Sequence, residues 1–399
     1  MYLGKTKTKV MSSAPVQLNQ RIHYLDVLRG IAISGVLFAF AFWNLGTEPK
    51  EAWTRFDKII DEVGGFLIDS KCYTTLACLF AIGFVLHMDK TADKSRSLDT
   101  YRRRLLGLLI IGAFHALLLR NGDILAPYAI TCFIVTFFYS ASNRTIVIAL
   151  TTVFLLQVLL PEIWLWAGFS FPKRPHTEAN YLVENFQWVK YWYVTSIFFW
   201  ETTVFLLLLG LLAGRFFIQK KASLSNRQLV AVIVAGFVLG TGSYLLMVSY
   251  SNLLRSLPDI GNTYIMRSAA FGLLDLIHKI GMASAYASIV FLLMRRFALS
   301  GFAVLGRMSL TNYIIQAIII IPVCILFNLF DHVTPTIALV MTGVVWVFQI
   351  FFSSWWLSRH KFGPLEWLLR WFTYGRTMAV KKDKEQMELA EVPVMVRVP

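Results

Sequence analysis

Ionisable residues inside long apolar runs are where chemistry is most worth seeking. Near the centre of a membrane helix each costs on the order of 2.5–3.5 kcal/mol unless it has a partner, a wet cavity or a role. The chain has few of them. His115 lies eleven residues past Arg104, about 16 Å along a helix at 1.5 Å per residue, and Arg120 and Asp123 come after it in the short stretch RNGDI. His115 reads either as a hydrogen-bonded packing residue or as a functional base. Glu201 stands fourteen residues before Arg215, roughly 21 Å from it on the same measure. Asp275, His278 and Lys279 share one helical face by their i,i+3 and i,i+4 spacing. If these helices are neighbours, His115, Glu201, Asp275 and Lys279 form one hydrated site in the outer half of the bundle, and Asp275 and Lys279 also satisfy each other.

At the opposite ends of the runs the chemistry is basic. Asp26 and Arg29 in LDVLRG lie three apart and either pair locally to start a helix or contribute to a binding site. Arg102, Arg103 and Arg104 precede one apolar run; they serve as topological anchors or hold a phosphate-bearing ligand or anionic lipid. In GRMSLTNYIIQ, Ser309, Asn312 and Gln316 make a polar stripe with Arg307 at its mouth, suited to hydrogen bonds between helices or to a substrate. The prediction is that LDVLRG and GRMSLTNY face each other. No metal-ligand spacing, nucleophile motif or Gly-rich phosphate loop is visible, so no metal is expected.

Composition dictates the scaffold that carries these residues. Of 399 residues, 57% are hydrophobic and 15% charged, against roughly half and a quarter in soluble domains. That excludes an ordinary soluble enzyme. Apolar runs near 25–46, 71–88, 105–120, 124–141, 145–168, 193–214, 229–250, 272–294, 309–329 and 336–357 predict an all-α polytopic transmembrane bundle of about ten spans. The formal charge of +15 does not signal nucleic acid, because the basic residues punctuate the runs. With an inner N-terminus, 27 of the 38 Lys and Arg fall on the inner side, which predicts N-in, C-in topology.

The predicted organisation is a cytoplasmic arm over 1–22, a single transmembrane domain over 23–376 and a disordered cytoplasmic tail over 377–399. Residues 47–70, rich in acids, and 169–192 read as the two longer outer loops. Gly363-Pro364 opens an interfacial amphipathic helix in which Leu365, Leu368, Leu369 and Phe372 share a face and Glu366 and Arg370 pair at i,i+4. No signal peptide or internal repeat stands out, and the four cysteines have no paired spacing.

LDVLRGIAISGVL (25–37), RRRLLGLLIIGAFHALLLRNGDILAPYAI (102–130), GRMSLTNYIIQ (306–316) and HKFGPLEWLLRWFTYGR (360–376) together resemble the YeiB-like family of bacterial membrane proteins, the domain of unknown function 418. The resemblance implies a multi-pass protein of the bacterial plasma membrane, with transport of a small solute as its suggested activity. It also implies a fold similar to membrane acyltransferases that take acyl-CoA from the cytoplasm. The chain departs from both patterns: Phe40 stands where family members commonly carry Asn, and residues 41–71 hold no His. Acyl transfer would have to recruit His115 as base, with Asp123 or Glu201 orienting it and the inner arginines holding the CoA phosphates. The expected function is therefore solute transport, with transmembrane acyl transfer as the alternative and a structural or regulatory role third. The expected partners are the bilayer and a small-molecule substrate, without nucleic acid; self-association is left open. No cofactor is expected unless acyl-CoA serves the second reading.

Overall fold

A computed structural model describes residues 23–43, 49–89, 93–119, 123–166, 181–196, 200–219, 224–255, 269–330 and 332–375. The expected arm and tail lie outside them. Every regular element among the described residues is helical: α1 (His23–Trp43), α2 (Arg55–Leu67), α3 (Lys71–Asp89), α4 (Lys94–Phe114), α5 (Leu125–Thr136), α6 (Asn143–Trp166), α7 (Tyr181–Ser196), α8 (Trp200–Gly214), α9 (Asn226–Arg255), α10 (Ala269–Leu293), α11 (Ser300–Arg307), α12 (Ser309–Leu326), α13 (Pro335–Arg359) and α14 (Pro364–Tyr374). A short 3-10 turn precedes α2, and π-helical turns close α4 (His115–Leu119) and α8 (Arg215–Gln219).

Seven helical stretches among the described residues are long and apolar enough to cross a membrane, and Leu125–Thr136 and Thr202–Ile218 are shorter apolar helices. Their outward faces carry Val238 at 65%, Val344 at 66% and Phe351 at 71% exposure. A soluble surface does not carry such a belt, whereas hydrocarbon solvates it. This is the face of a membrane protein. Because lipid tails are as apolar as leucine, the helices must be held by close packing and internal polar contacts rather than by escape from water. α1 and α11 approach backbone to backbone: a Cβ on Gly30 would stand 1.9 Å from the Phe302 carbonyl oxygen and one on Gly306 would stand 1.8 Å from that of Asp26. LDVLRG and the start of GRMSLTNY do face each other, as their sequence predicted.

Several expectations about the elements change. The acidic stretch 47–70 is largely helix rather than loop: Thr54 and Asp57 form a reciprocal cap at the start of α2. Ile60 is buried while Phe56, Ile59 and Val63 are exposed. The acids had masked that apolar periodicity. Asp57 also accepts from the Thr336 amide at 2.9 Å and hydroxyl at 2.6 Å, tying α2 to the start of α13. The run 193–214 is divided between the end of α7 and α8. The run 105–120 belongs to a helix that begins at Lys94, because Ser97, Thr100 and Tyr101 bury themselves against the bundle. Arg215 donates to the carbonyls of Phe138, Tyr139 and Ala141 just beyond α5 and to Asn143 Oδ1. It supplies the polar partners that a helix end needs inside a bundle.

Candidate functional site

The end of the bundle that gathers α1, the C-terminal half of α3, α4, the start of α12 and α14 encloses a cavity of about 240 Å³. Arg29, Arg104, Arg307 and Arg370 line it together with Asp26, Glu366 and His87, and its remaining wall includes Leu76, Leu79, Phe80, Leu108 and Tyr313. Asp26 holds Arg29 at 3.0 Å, so the local pair read from LDVLRG is present and stands on the cavity wall. Arg370 lies over the Phe362 ring at 4.2 Å. His87 donates from Nε2 to the Ser97 carbonyl, 3.1 Å away. Four arginines against two carboxylates make the lining net positive.

Behind Tyr313 is a second, fully enclosed group. Its hydroxyl donates to Asp123 Oδ1 at 3.1 Å, and the same oxygen lies 3.1 Å from His115 Nδ1, although the ring N–H is not aimed at it. The His115 and Asp123 side chains are 2% and 0% exposed. Asp123 Oδ2 accepts from the Ala126 amide at 2.7 Å, which caps α5. Local sequence explains the inward fold. α4 ends in a π-helical turn at His115, which leaves carbonyls without their usual partners; Asn185 of α7 donates to those of Ala116 and Leu117, each at 2.7 Å. At twelve residues, about 18 Å long, α5 cannot cross the ~30 Å hydrocarbon core, and the preceding turn carries Asp123 into the bundle.

α14 seals the cavity in a way its charge pattern did not predict. The i,i+4 spacing pointed Glu366 at Arg370. Instead its Oε1 accepts from the amides of Leu310 at 2.7 Å and Thr311 at 3.0 Å, and its Oε2 accepts from the Thr311 hydroxyl at 2.5 Å. The Thr311 hydroxyl oxygen in turn accepts from the Leu365 amide at 3.1 Å, so two helix starts cap one another. Burial raises the Glu366 carboxyl above the ordinary carboxylate range, opposed by these hydrogen bonds. Glu366→Ala is expected to lower the melting temperature in detergent and to detach α14, read as faster hydrogen exchange over 364–374, at a cost of about 1–3 kcal/mol; unchanged exchange there would show that the cap does not hold the helix.

The other residues singled out by the sequence sit elsewhere. Asn312 and Gln316 are buried away from the cavity: Asn312 bonds Ser353 at 3.0 Å and the Leu305 carbonyl, Gln349 donates to the Asn312 carbonyl at 2.8 Å, and Gln316 donates to the Ile33 carbonyl. These two stitch α12 to α1 and α13 instead of facing a ligand, whereas Ser309 of the same stripe lines the cavity. Of the arginine run, Arg104 alone lines the cavity, while Arg102 lies 3.7 Å from Asp99 and Arg103 is exposed. The single outer constellation does not form around His115. Asp275 and Lys279 pair with each other, close enough to Asp69 and Lys71 to interact electrostatically; Lys71 donates to the Gly65 carbonyl and His278 bonds that of Gly240. The Glu201 side chain lies outside the described residues. Sequence reading missed His87, Tyr313, Glu366 and Arg370 as cavity residues. Tyr313 and Glu366 stood inside quoted motifs, but nothing in their spacing pointed at Asp123 or at α12.

Among the described residues no cluster of three or more His, Cys, Asp or Glu could hold a metal ion. A protein-family model described as "Protein of unknown function (DUF418)" matches residues 213–376. The chain is similar to "Uncharacterized protein YxaH" of Bacillus subtilis (strain 168), 28% identical over 91% of this chain and 96% of that protein. It is also similar to "Uncharacterized protein YeiB" of Escherichia coli (strain K12), 27% identical over 88% of this chain and 95% of that protein. Over residues 213–376 the chain is similar to the DUF418 family, and over most of its length to these two proteins. "Uncharacterized 39.9 kDa protein in amylase 3'region" of Bacillus acidopullulyticus, 27% identical, matches over 93% of this chain and 99% of its own length. The DUF418 match covers α9 to α14 and so brings Arg307, Tyr313, Glu366 and Arg370 to the cavity. Asp26, Arg29, His87, Arg104, His115 and Asp123 come from the part of the chain before it.

Proposed function

We propose that this chain is a DUF418 protein, a multi-pass protein of the bacterial plasma membrane crossing about ten times with both termini cytoplasmic, and that it carries a small solute across the bilayer. One observation supports the reading above the others: Tyr313 stands on the cavity wall and hydrogen-bonds a fully buried Asp123 beside His115. Buried ionisable groups in spanning helices commonly mark proton or substrate paths, and a hydroxyl joining such a pair to a cavity gives protonation a route to influence what the cavity holds. The pair is sealed from the cavity in this conformation, which suits proton coupling better than direct attack on a bound molecule. In proteoliposomes loaded with a pH-reporting dye, small organic anions presented singly are expected to enter with a proton signal. His115→Gln is expected to remove most of that signal while leaving folded yield near wild type; Tyr313→Phe is expected to remove it too, at a stability cost of about 1–3 kcal/mol, because the hydroxyl also accepts from the Ile124 amide. Wild-type uptake in both variants would sink the coupling, and no uptake of any anion would sink transport itself.

Transmembrane acyl transfer is the second reading, favoured by the four arginines, which would suit the phosphates of an acyl-CoA donor. It needs His115 to reach the cavity as base, with Asp123 orienting it; Glu201 is a further candidate for that orienting role. Micromolar, Arg104-dependent binding of CoA thioesters with acyl loss to an acceptor would favour it over transport.

A further inference from the structure

The cavity at the arginine end has walls of two chemistries. Arg29, Arg104, Arg307 and Arg370 supply fork-shaped donors suited to a phosphate or carboxylate. The Asp26 carboxylate already pairs with Arg29, and that of Glu366 is committed to the start of α12. Leu76, Leu79, Phe80, Leu108, Leu125 and Ile33 line the same space with hydrocarbon. A fully polar anion would leave that hydrocarbon facing water, and an apolar solute would make no use of the guanidinium donors. Its volume of about 240 Å³ lies just below the ~300–1,000 Å³ usual for ligand pockets, so the occupant is small. Gly83 lines the cavity, and a Cβ there meets nothing within 4 Å, so a side chain at this position would occupy the cavity's open space.

We infer that the cavity binds a small amphiphilic anion, a phosphate or carboxylate head carrying one short apolar chain, with the head among the arginines and the chain against the α3 and α4 leucines. The inference rests on the transport reading for its purpose but not for its test, because binding is read in detergent with no flux involved. Purified full-length protein in nonionic detergent is titrated calorimetrically with hexyl phosphate, inorganic phosphate, hexyltrimethylammonium and two-chain phosphatidate in mixed micelles. Hexyl phosphate is expected to saturate one site, with inorganic phosphate at least about tenfold weaker, a gap worth roughly 1.4 kcal/mol, and the cation and phosphatidate not competing.

Gly83→Leu is expected to abolish hexyl phosphate binding with the melting temperature retained, because the new side chain fills open space. Arg104→Gln with Arg370→Gln is expected to weaken it at least about tenfold, the equivalent of losing roughly 1.4 kcal/mol. Equal binding of inorganic phosphate, or hexyl phosphate binding untouched by both variants, would overturn the site. Competition by phosphatidate would overturn the small soluble ligand in favour of a lipid headgroup. Hexyl phosphate binding without any anion uptake would leave this inference standing and remove the transport reading alone.

Discussion

Gly306→Val is expected to leave little folded protein. A Cβ at Gly306 would lie 1.8 Å from the Asp26 carbonyl oxygen, 2.7 Å from its carbon and 2.9 Å from the Gly30 amide nitrogen. All three are backbone atoms of α1, so no rotamer change relieves the clash. The helices would have to separate at the crossing that also carries the Asp26–Arg29 pair and one wall of the cavity. Ordinary overpacking costs about 1–3 kcal/mol; with backbone on both sides the cost here is expected to reach or exceed the top of that range, a large share of the ~5–15 kcal/mol that holds most proteins folded. Size-exclusion profiles and melting curves in detergent provide the measurement, with Gly83→Ala as the control whose added methyl meets open space. A monodisperse Gly306→Val protein melting with wild type would mean the two helices do not meet as described.

Asp123→Ala is expected to have the second largest effect, about 3 kcal/mol, because two buried donors lose their acceptor at about 1–3 kcal/mol each. It strips the acceptor from the Tyr313 hydroxyl and the Ala126 amide at once and leaves His115 beside an empty space. Asp123→Asn keeps one oxygen and should recover part of the loss. His115→Gln is expected to behave differently, because the His115 N–H is not aimed at the carboxylate and its removal orphans little. Melting curves of the three variants, set beside their anion uptake, separate the roles. Destabilisation by His115→Gln as large as that by Asp123→Ala would make the whole group structural, and the proton-coupling reading would lose its base.

Features set by local chemistry were legible in the chain alone. Long apolar runs with basic punctuation required a helical membrane protein, since only helices satisfy every backbone group within one segment in hydrocarbon. Spacing of three and four residues made the Asp26–Arg29 and Asp275–Lys279 pairs legible, as neighbours on one helix meet whatever the fold. The conjunction of LDVLRG with GRMSLTNY was also readable, and the two glycines that permit it lie inside the motifs themselves.

The remaining features were settled by packing, because contacts between helices carry no period in the chain. Packing turned Asp123 inward to His115 and Tyr313, left Asp275 and Lys279 among other partners, and moved Asn312 and Gln316 from ligand groups to stitching between helices. It diverted Glu366 from the partner four residues away to two amides and a hydroxyl more than fifty residues distant. The cause is the same in each case. Inside a bundle a polar group takes whichever partner can shield it best from hydrocarbon, and a helix start with orphan N–H groups outcompetes a neighbouring cation that can reach water.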